Sequence, residues 1–338
     1  MGGLLPFVLL MLAGAPPPAQ HAASACGSCH GVTLTDWRAS AHADAWTSPL
    51  FRAGLQVEPK AFCVGCHAPE TARADEGIGC VTCHEANRDD SPAVRRMPIA
   101  PARPDAGAEH AVALRSRAAL ADPAFCRSCH EFATPAFEGG RKRGTALPMQ
   151  STYSEWLAYQ RAGGAETCQS CHMPGGRHVM SGTRDLALLR GALAVTARDE
   201  PTGATLTLAS VGVGHDFPTG DLFRHLTVEV RPLRNGDADR ENSAWRIVDR
   251  IGRTFATRLD DATLLAHKEE TANTSLVPGA SRVVALPPRE GPLGWRVRYH
   301  YGSERDEQRG LVPAAALVTT LAEGRLVRAT ENRREKVQ

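Results

Sequence analysis

The chain repeats one pentapeptide, C-x-x-C-H, five times, and all ten of its cysteines lie in these five copies. Two thiols separated by two residues and followed directly by a histidine form the attachment motif of a c-type haem. The thiols become thioethers to the haem vinyl groups, and the histidine binds the iron as its proximal ligand. The predicted thioether cysteines are Cys26, Cys29, Cys63, Cys66, Cys80, Cys83, Cys126, Cys129, Cys168 and Cys171. The predicted proximal ligands are His30, His67, His84, His130 and His172.

Zinc ribbons and thioredoxin-like redox sites are also built from C-x-x-C pairs. Neither kind of site requires a histidine after the second cysteine. Histidine makes up only 13 of the 338 residues, so chance would almost never place it after all five pairs. The sequence therefore predicts five covalently bound haem c groups, and no cysteine remains for a structural disulfide or a lone nucleophile.

Eight further histidines are candidates for the second axial position, because neutral imidazole is the usual sixth ligand of a low-spin electron-transfer haem. His42 shares one face of a predicted helix with Ala39, Ala43 and Trp46, and its small neighbours would let a flat macrocycle approach. His110 opens a second predicted helix, just ahead of the fourth motif. We predict both histidines as distal ligands.

Two more distal ligands are predicted from turns. His178 follows a glycine-rich turn directly after the fifth motif, with Met180 nearby as an alternative ligand that would raise the haem potential. His215 follows Gly214, which permits close backbone approach, in a turn at a strand end of the second domain. For the fifth iron the sequence leaves several alternatives: an open position, water, or one of His21, His225, His267 and His300.

Composition excludes several classes of protein. Basic and acidic residues number 39 and 37 and are well mixed, so the sequence predicts no nucleic-acid partner. A short apolar run, followed by small residues and three prolines, is typical of a secretory signal peptide over residues 1–25. The predicted mature protein is exported, to the periplasm or the cell surface.

The haem motifs lie in residues 26–185, which leaves roughly 32 residues for each haem. So short a chain cannot build a conventional core, and we expect short helices and loops wrapped round stacked haems. One such helix is predicted to begin with a capping box of Thr152 and Glu155. Residues 186–305 alternate polar and apolar positions, which favours an antiparallel β-sandwich-like domain. Residues 306–338 have an Ala/Leu-rich helical pattern and a charged tail. The predicted fold class is α+β.

Several stretches resemble the multihaem cytochrome c-552/c-554 family. They are the segment Trp37–His42 after the first motif, Phe125–Glu131, Gln150–Trp156 and Cys168–Pro174. His215–Gly220 is similar to a motif of the β-domain appended to such cytochromes. The resemblance implies a periplasmic electron-transfer protein with mostly bis-histidine haems. It also implies that His42, His110 and His178 occupy distal-ligand positions. Five motifs instead of four, and a large β-domain, depart from the family pattern.

The favoured interpretation is an electron carrier, rather than an enzyme, that passes single electrons between redox partner proteins. One alternative is an enzyme that reduces or oxidises a small nitrogen or sulfur compound at one five-coordinate haem. Another is a docking component, in which the β-domain attaches the haem segment to a membrane or extracellular electron-transfer complex.

Overall fold

The computed structural model describes residues 22–57, 61–86, 110, 113–133, 137–138, 141–142, 148–200, 203–233, 244–259, 266–303 and 312–327. Nearly all of the predicted signal peptide, His21 included, lies outside these residues. Among the described residues, no helix is both long enough and apolar enough to cross a lipid bilayer.

In the described part of residues 26–185, short helices joined by turns predominate, as the sequence predicts. Proline helps to keep them short: Pro69 and Pro174 follow the second and fifth motifs by two residues, and a proline cannot continue a helix. The α-helices are Ala23–Gly27, Gly31–Arg38, Pro49–Val57, Ala61–His67, Cys80–His84, Arg117–Ala121, Arg127–His130, Thr152–Arg161, Cys168–His172, Leu186–Gly191 and Ala314–Leu317. Short 3-10 helices span Thr71–Glu76, which is kinked at Arg73, and Pro123–Phe125 and Pro174–Gly176.

All strands of the described residues pair in antiparallel fashion. They are β1 Glu131–Ala133, β2 Phe137–Glu138, β3 Arg141–Lys142, β4 Pro148–Ser151, β5 Leu193–Glu200, β6 Gly203–Ser210, β7 His225–Pro232, β8 Arg246–Leu259, β9 Ala266–Asn273, β10 Ser281–Ala285, β11 Leu293–His300 and β12 Val318–Leu326. A five-stranded sheet has the order β12-β11-β7-β8-β9, and a three-stranded sheet has the order β10-β6-β5. Two-stranded ribbons pair β1 with β4 and β2 with β3.

The two larger sheets pack face to face around one apolar core. Leu206 and Leu208 of β6 meet Leu226, Val228 and Val297 of the facing sheet, and all five side chains have no exposed surface. Burying such a side chain stabilises the fold by about 1.5–3 kcal/mol relative to leaving it exposed. The predicted α+β class with a C-terminal antiparallel sandwich is therefore confirmed.

The predicted C-terminal helix is largely wrong. Only Ala314–Leu317 is helical, and β12 follows it directly as an edge strand that pairs with β11 from His300 back to Leu293. The β-branched residues Val318, Thr319 and Thr320 suit a strand, and their pairing with β11 outweighs the helical preference of the neighbouring alanines. The end of the chain thus belongs to the sandwich as far as Leu326.

Candidate functional site

Each C-x-x-C-H motif forms a turn of helix that presents its three chemical groups on one side. Four motifs lie in helices that end at the motif histidine, at His67, His84, His130 and His172. In the first motif, the His30 amide donates to the Cys26 carbonyl oxygen (3.0 Å), which is also a helical contact. Residues i, i+3 and i+4 share a helix face, so both thiols and the imidazole of a motif point the same way.

Four of the five motif histidines face a second histidine from elsewhere in the chain. The ring centroids are 6.3 Å apart for His30 and His110, and 5.8 Å for His84 and His178. They are 6.3 Å apart for His130 and His42, and 6.2 Å for His172 and His215. All four histidines predicted as distal ligands thus lie opposite a motif histidine.

These spacings match a pair of imidazoles with one metal ion between them. A ring nitrogen binds a transition metal at about 2 Å and lies about 1 Å from its ring centroid, so the two centroids stand roughly 6 Å apart. In contrast, the remaining close pair, His225 and His300, stacks at 4.3 Å, which is too close for an ion. Its rings bond the protein instead: His225 Nδ1 to the Phe223 carbonyl oxygen (2.7 Å) and His300 Nε2 to Thr227 Oγ1 (2.9 Å).

Backbone carbonyls hold several of these rings by the nitrogen that faces away from a metal. Nδ1 of His178 bonds the Gly176 carbonyl oxygen (3.1 Å), and Nδ1 of His215 bonds that of Asp216 (2.8 Å). Nδ1 of His172 bonds the Ser181 carbonyl oxygen. Such a bond fixes the ring orientation and tautomer and leaves Nε2 for the metal.

Burial keeps key rings in the state that binds iron. Removal from water lowers the pKa of His42, His84 and His130 to about 4 each. All three imidazoles are therefore neutral at physiological pH, and neutral imidazole is the form that ligates a metal.

The space beside the fifth motif also fits a macrocycle. A cavity of about 480 Å³ opens next to Cys171 and is bounded by Tyr159, Gly212 and Gly214. Glycines on its wall bring the backbone close without a side chain in the way. The donor set, the ring spacing and this cavity fit a covalently bound, bis-histidine haem.

The β-domain reaches the haem motifs through the turn that carries His215. Thr219 in this turn donates to Glu155 Oε2 (2.5 Å), and its hydroxyl lies 2.9 Å from that of Thr152. Burial raises the pKa of Glu155 to about 7, against the opposing effect of the Thr219 hydrogen bond. The predicted capping box is therefore wrong: Ser151 is the N-cap, and both predicted members contact the β-domain.

His67 of the second motif differs from the other four motif histidines. Its Nδ1 bonds the Ala45 carbonyl oxygen (2.9 Å), and the Phe51 ring stacks on its face at 3.7 Å between centroids. Within the described residues its close ring partner is thus a phenylalanine and not a second histidine. Phe51 was missed at the sequence level, because nothing in its spacing distinguishes it from an ordinary core residue.

The motifs are neighbours in the order first, third, fourth, fifth. The sulfur atoms of Cys26 and Cys80 lie within hydrogen-bonding reach of each other, and so do those of Cys126 and Cys168. The third and fourth motifs lie within electrostatic range through their second cysteines. The second motif lies near the fourth. The charge of His67 contributes to the lowered pKa of His42, and His42 faces His130 of the fourth motif. This order was not deducible from sequence.

Comparison with known proteins shows a family match for part of the chain and a similar fold. Residues 25–85, which contain the first three motifs, match the family described as cytochrome c554 and c-prime. A crystal structure of a penta-haem cytochrome c552 from Thermochromatium tepidum superposes with a TM-score of 0.64 at 20% identity, over 92% of this chain and all of that one. No curated protein matches the chain significantly. The chain therefore has the fold of a penta-haem cytochrome c552, and its first three haem motifs lie in a segment that matches the cytochrome c554 family.

Proposed function

We propose that the chain is an exported multihaem cytochrome c that passes single electrons between redox partner proteins. Five haems would be bound by the five C-x-x-C-H motifs. Four of them would have two histidine ligands each: His30 with His110, His84 with His178, His130 with His42, and His172 with His215.

The observation that carries this proposal is the set of four histidine pairs, each with one motif histidine and each at 5.8–6.3 Å between ring centroids. An iron with two protein ligands has no open position for a substrate, and it changes little in geometry when it gains an electron. The contacts between motif cysteines support close spacing of the haems, which electron transfer between them requires.

Export is the second part of the proposal. The apolar run in residues 4–12 supports it, because such a run is typical of a secretory signal and too short to span a bilayer. A protein that carries single electrons needs one redox protein as donor and another as acceptor. Docking to a membrane complex through the β-domain is one form that such a contact would take.

A second candidate is an enzyme that acts at the haem of the second motif. It is favoured by His67, whose close ring partner among the described residues is Phe51. An anion bound at such a site needs positive charge nearby. Arg177 is not available for this, because its guanidinium is tied to Asp36 by bonds of 2.5 and 3.1 Å. Arg224 donates to the Thr219 carbonyl oxygen (3.4 Å), and its charge contributes to the lowered pKa of both His130 and His215.

Stopped-flow kinetics of the haem-loaded protein distinguishes the two candidates. The reduced protein, freed of excess dithionite, is mixed anaerobically with a small one-electron acceptor. In a separate steady-state assay, reduced methyl viologen supplies electrons continuously and nitrite, hydroxylamine or sulfite is the substrate. The carrier proposal predicts rapid reoxidation of every haem by the one-electron acceptor and no catalytic turnover of the three small compounds. Sustained turnover of any one of them would contradict the carrier and support the enzyme.

A further inference from the structure

Helix Gly31–Arg38 contacts two chain segments that lead to the ligands of the third haem. The helix itself follows the first motif, and its adjacent residues Asp36 and Trp37 are both buried. The indole nitrogen of Trp37 donates to the Ile78 carbonyl oxygen (2.8 Å), two residues before the third motif begins. The helix therefore holds the segment that leads into the motif side of this haem site.

Asp36 holds the other segment, which leads into His178. Its carboxylate accepts two hydrogen bonds from Arg177, one from Nε (3.1 Å) and one from Nη2 (2.5 Å). Arg177 directly precedes His178, whose ring faces that of His84 at 5.8 Å between centroids. A guanidinium that donates twice to one carboxylate is fixed in orientation as well as in position. The ion pair thus fixes the backbone next to a predicted distal ligand.

The turn that carries His178 has little stiffness of its own. Gly175 and Gly176 have φ angles of 65° and 79°, in the left-handed region that glycine enters freely. Nδ1 of His178 bonds the Gly176 carbonyl oxygen (3.1 Å), which fixes the ring relative to the turn but not the turn relative to the protein. The ion pair of Arg177 with the buried Asp36 supplies a connection of the second kind.

On the basis of the proposed function, we propose that Asp36 and Arg177 are positioning residues: their ion pair holds His178 on the iron of the third haem. A helix that belongs to the first haem motif would thus brace the third haem on its motif side and on its distal side. Without the ion pair, the glycine turn moves more freely and His178 leaves the sixth position of this haem more often.

The test is stopped-flow binding of carbon monoxide to the full-length, haem-loaded protein in its reduced form. Carbon monoxide binds ferrous haem only at an open axial position. At a six-coordinate haem, its binding rate therefore reports the fraction of time for which the sixth ligand is off. The third haem is identified as the one whose carbon monoxide binding becomes fast in His178→Ala.

Arg177→Gln removes the charge and is expected to speed carbon monoxide binding at the third haem about fivefold, the effect of losing a charged pair with one exposed partner. The Arg177 side chain is 62% exposed and that of Asp36 only 7%. Arg177→Lys keeps the charge but not the paired donors, so its rate should lie between those of wild type and Arg177→Gln. Added salt screens the exposed guanidinium and should speed binding in wild type but not in Arg177→Gln.

The matched control is Arg184→Gln. Arg184 and Asp44 form an ion pair (2.7 Å) between the same two parts of the chain, but both side chains are about half exposed, at 47% and 54%. This variant should bind carbon monoxide at the third haem as wild type does, with the same dependence on salt. An equal acceleration in Arg184→Gln and Arg177→Gln would contradict a specific role of Asp36 and Arg177.

Equal rates at the third haem in wild type and Arg177→Gln would overturn the proposal. If Arg177→Gln does not fold, Asp36→Asn decides in the same way, because it keeps the size of the side chain and removes its charge. Failure of the proposed function is distinguishable: His178→Ala would then leave carbon monoxide binding unchanged at every haem, because His178 would not be a ligand.

Discussion

The buried carboxyl of Glu155 makes the stability of the chain depend on pH. Glu155 lies where the helix Thr152–Arg161 meets the His215 turn, and it accepts a hydrogen bond from Thr219. Replacement by glutamine keeps the size of the side chain and its acceptor oxygen, and removes only the ability to ionise. Because burial raises the pKa of Glu155 from 4.5 to about 7, the folded chain holds a proton that the unfolded chain releases.

The sign and size follow from this difference. Below pH 4.5 the carboxyl is protonated in both states and has no effect on the free energy of unfolding. As pH rises from 4.5 through 7, the unfolded chain ionises first and stability is lost. Each pKa unit corresponds to about 1.4 kcal/mol. The difference between 4.5 and about 7 therefore lowers the free energy of unfolding by about 3 kcal/mol above pH 7. Glu155→Gln escapes this loss.

The assay is denaturant unfolding of the haem-loaded protein at pH 5 and pH 8, followed by far-UV circular dichroism. The variant should be about as stable as wild type at pH 5 and more stable by about 2–3 kcal/mol at pH 8. Glu200→Gln, at an exposed carboxyl on the end of β5, is the control and should show no such difference. An equal effect of Glu155→Gln at both pH values, or a destabilised variant at pH 8, would refute the reasoning.

Three further predictions concern ligands and the domain contact. His42→Ala should convert one low-spin haem to high spin and raise its potential, and an unchanged EPR spectrum would remove His42 from the ligand set. Deletion of residues 186–338 should leave the haems attached but destroy the low-spin state of the haem paired with His215; a truncated protein whose haems all stay low-spin would contradict the cross-domain pair. Arg253→Ala removes charged hydrogen bonds to the carbonyl oxygens of Pro148 and Met149 and should cost about 1.5–3 kcal/mol in unfolding free energy, measured by denaturant titration. Its control, Arg258→Ala, breaks an exposed ion pair and should cost under about 1 kcal/mol, and equal losses would contradict the role of Arg253.

The sequence identified His42 by reasoning that was only partly right. Its residue type and small neighbours pointed to a ligand, and its ring lies 6.3 Å from that of His130. The predicted helix, however, ends at Arg38, and turns carry the chain past His42. Similarly, the predicted helix at His110 begins only at Arg117, with Ser116 as its N-cap. Residue type is enough to identify ligand candidates. The local backbone conformation depends on tertiary packing, which a single sequence does not reveal.

The pairing of histidines was beyond the sequence for a related reason. His130 and His42 are separated by 88 positions, and no local pattern links them. The sandwich was predictable because polar and apolar residues alternate in β6 and β11, which directly indicates one buried face. Strand β12 was not, because the alanines of Ala314–Leu317 directly before it, and its own Leu321 and Ala322, suit a helix, and only pairing with β11 selects a strand.

The most direct test of the central claim is a haem count on the purified wild-type protein together with quantitative low-temperature EPR of its oxidised form. The five C-x-x-C-H motifs predict five haems per chain. The four histidine pairs predict that at least four of these haems give low-spin ferric signals. Fewer than four low-spin haems in a fully loaded chain would contradict the pairing on which the account rests.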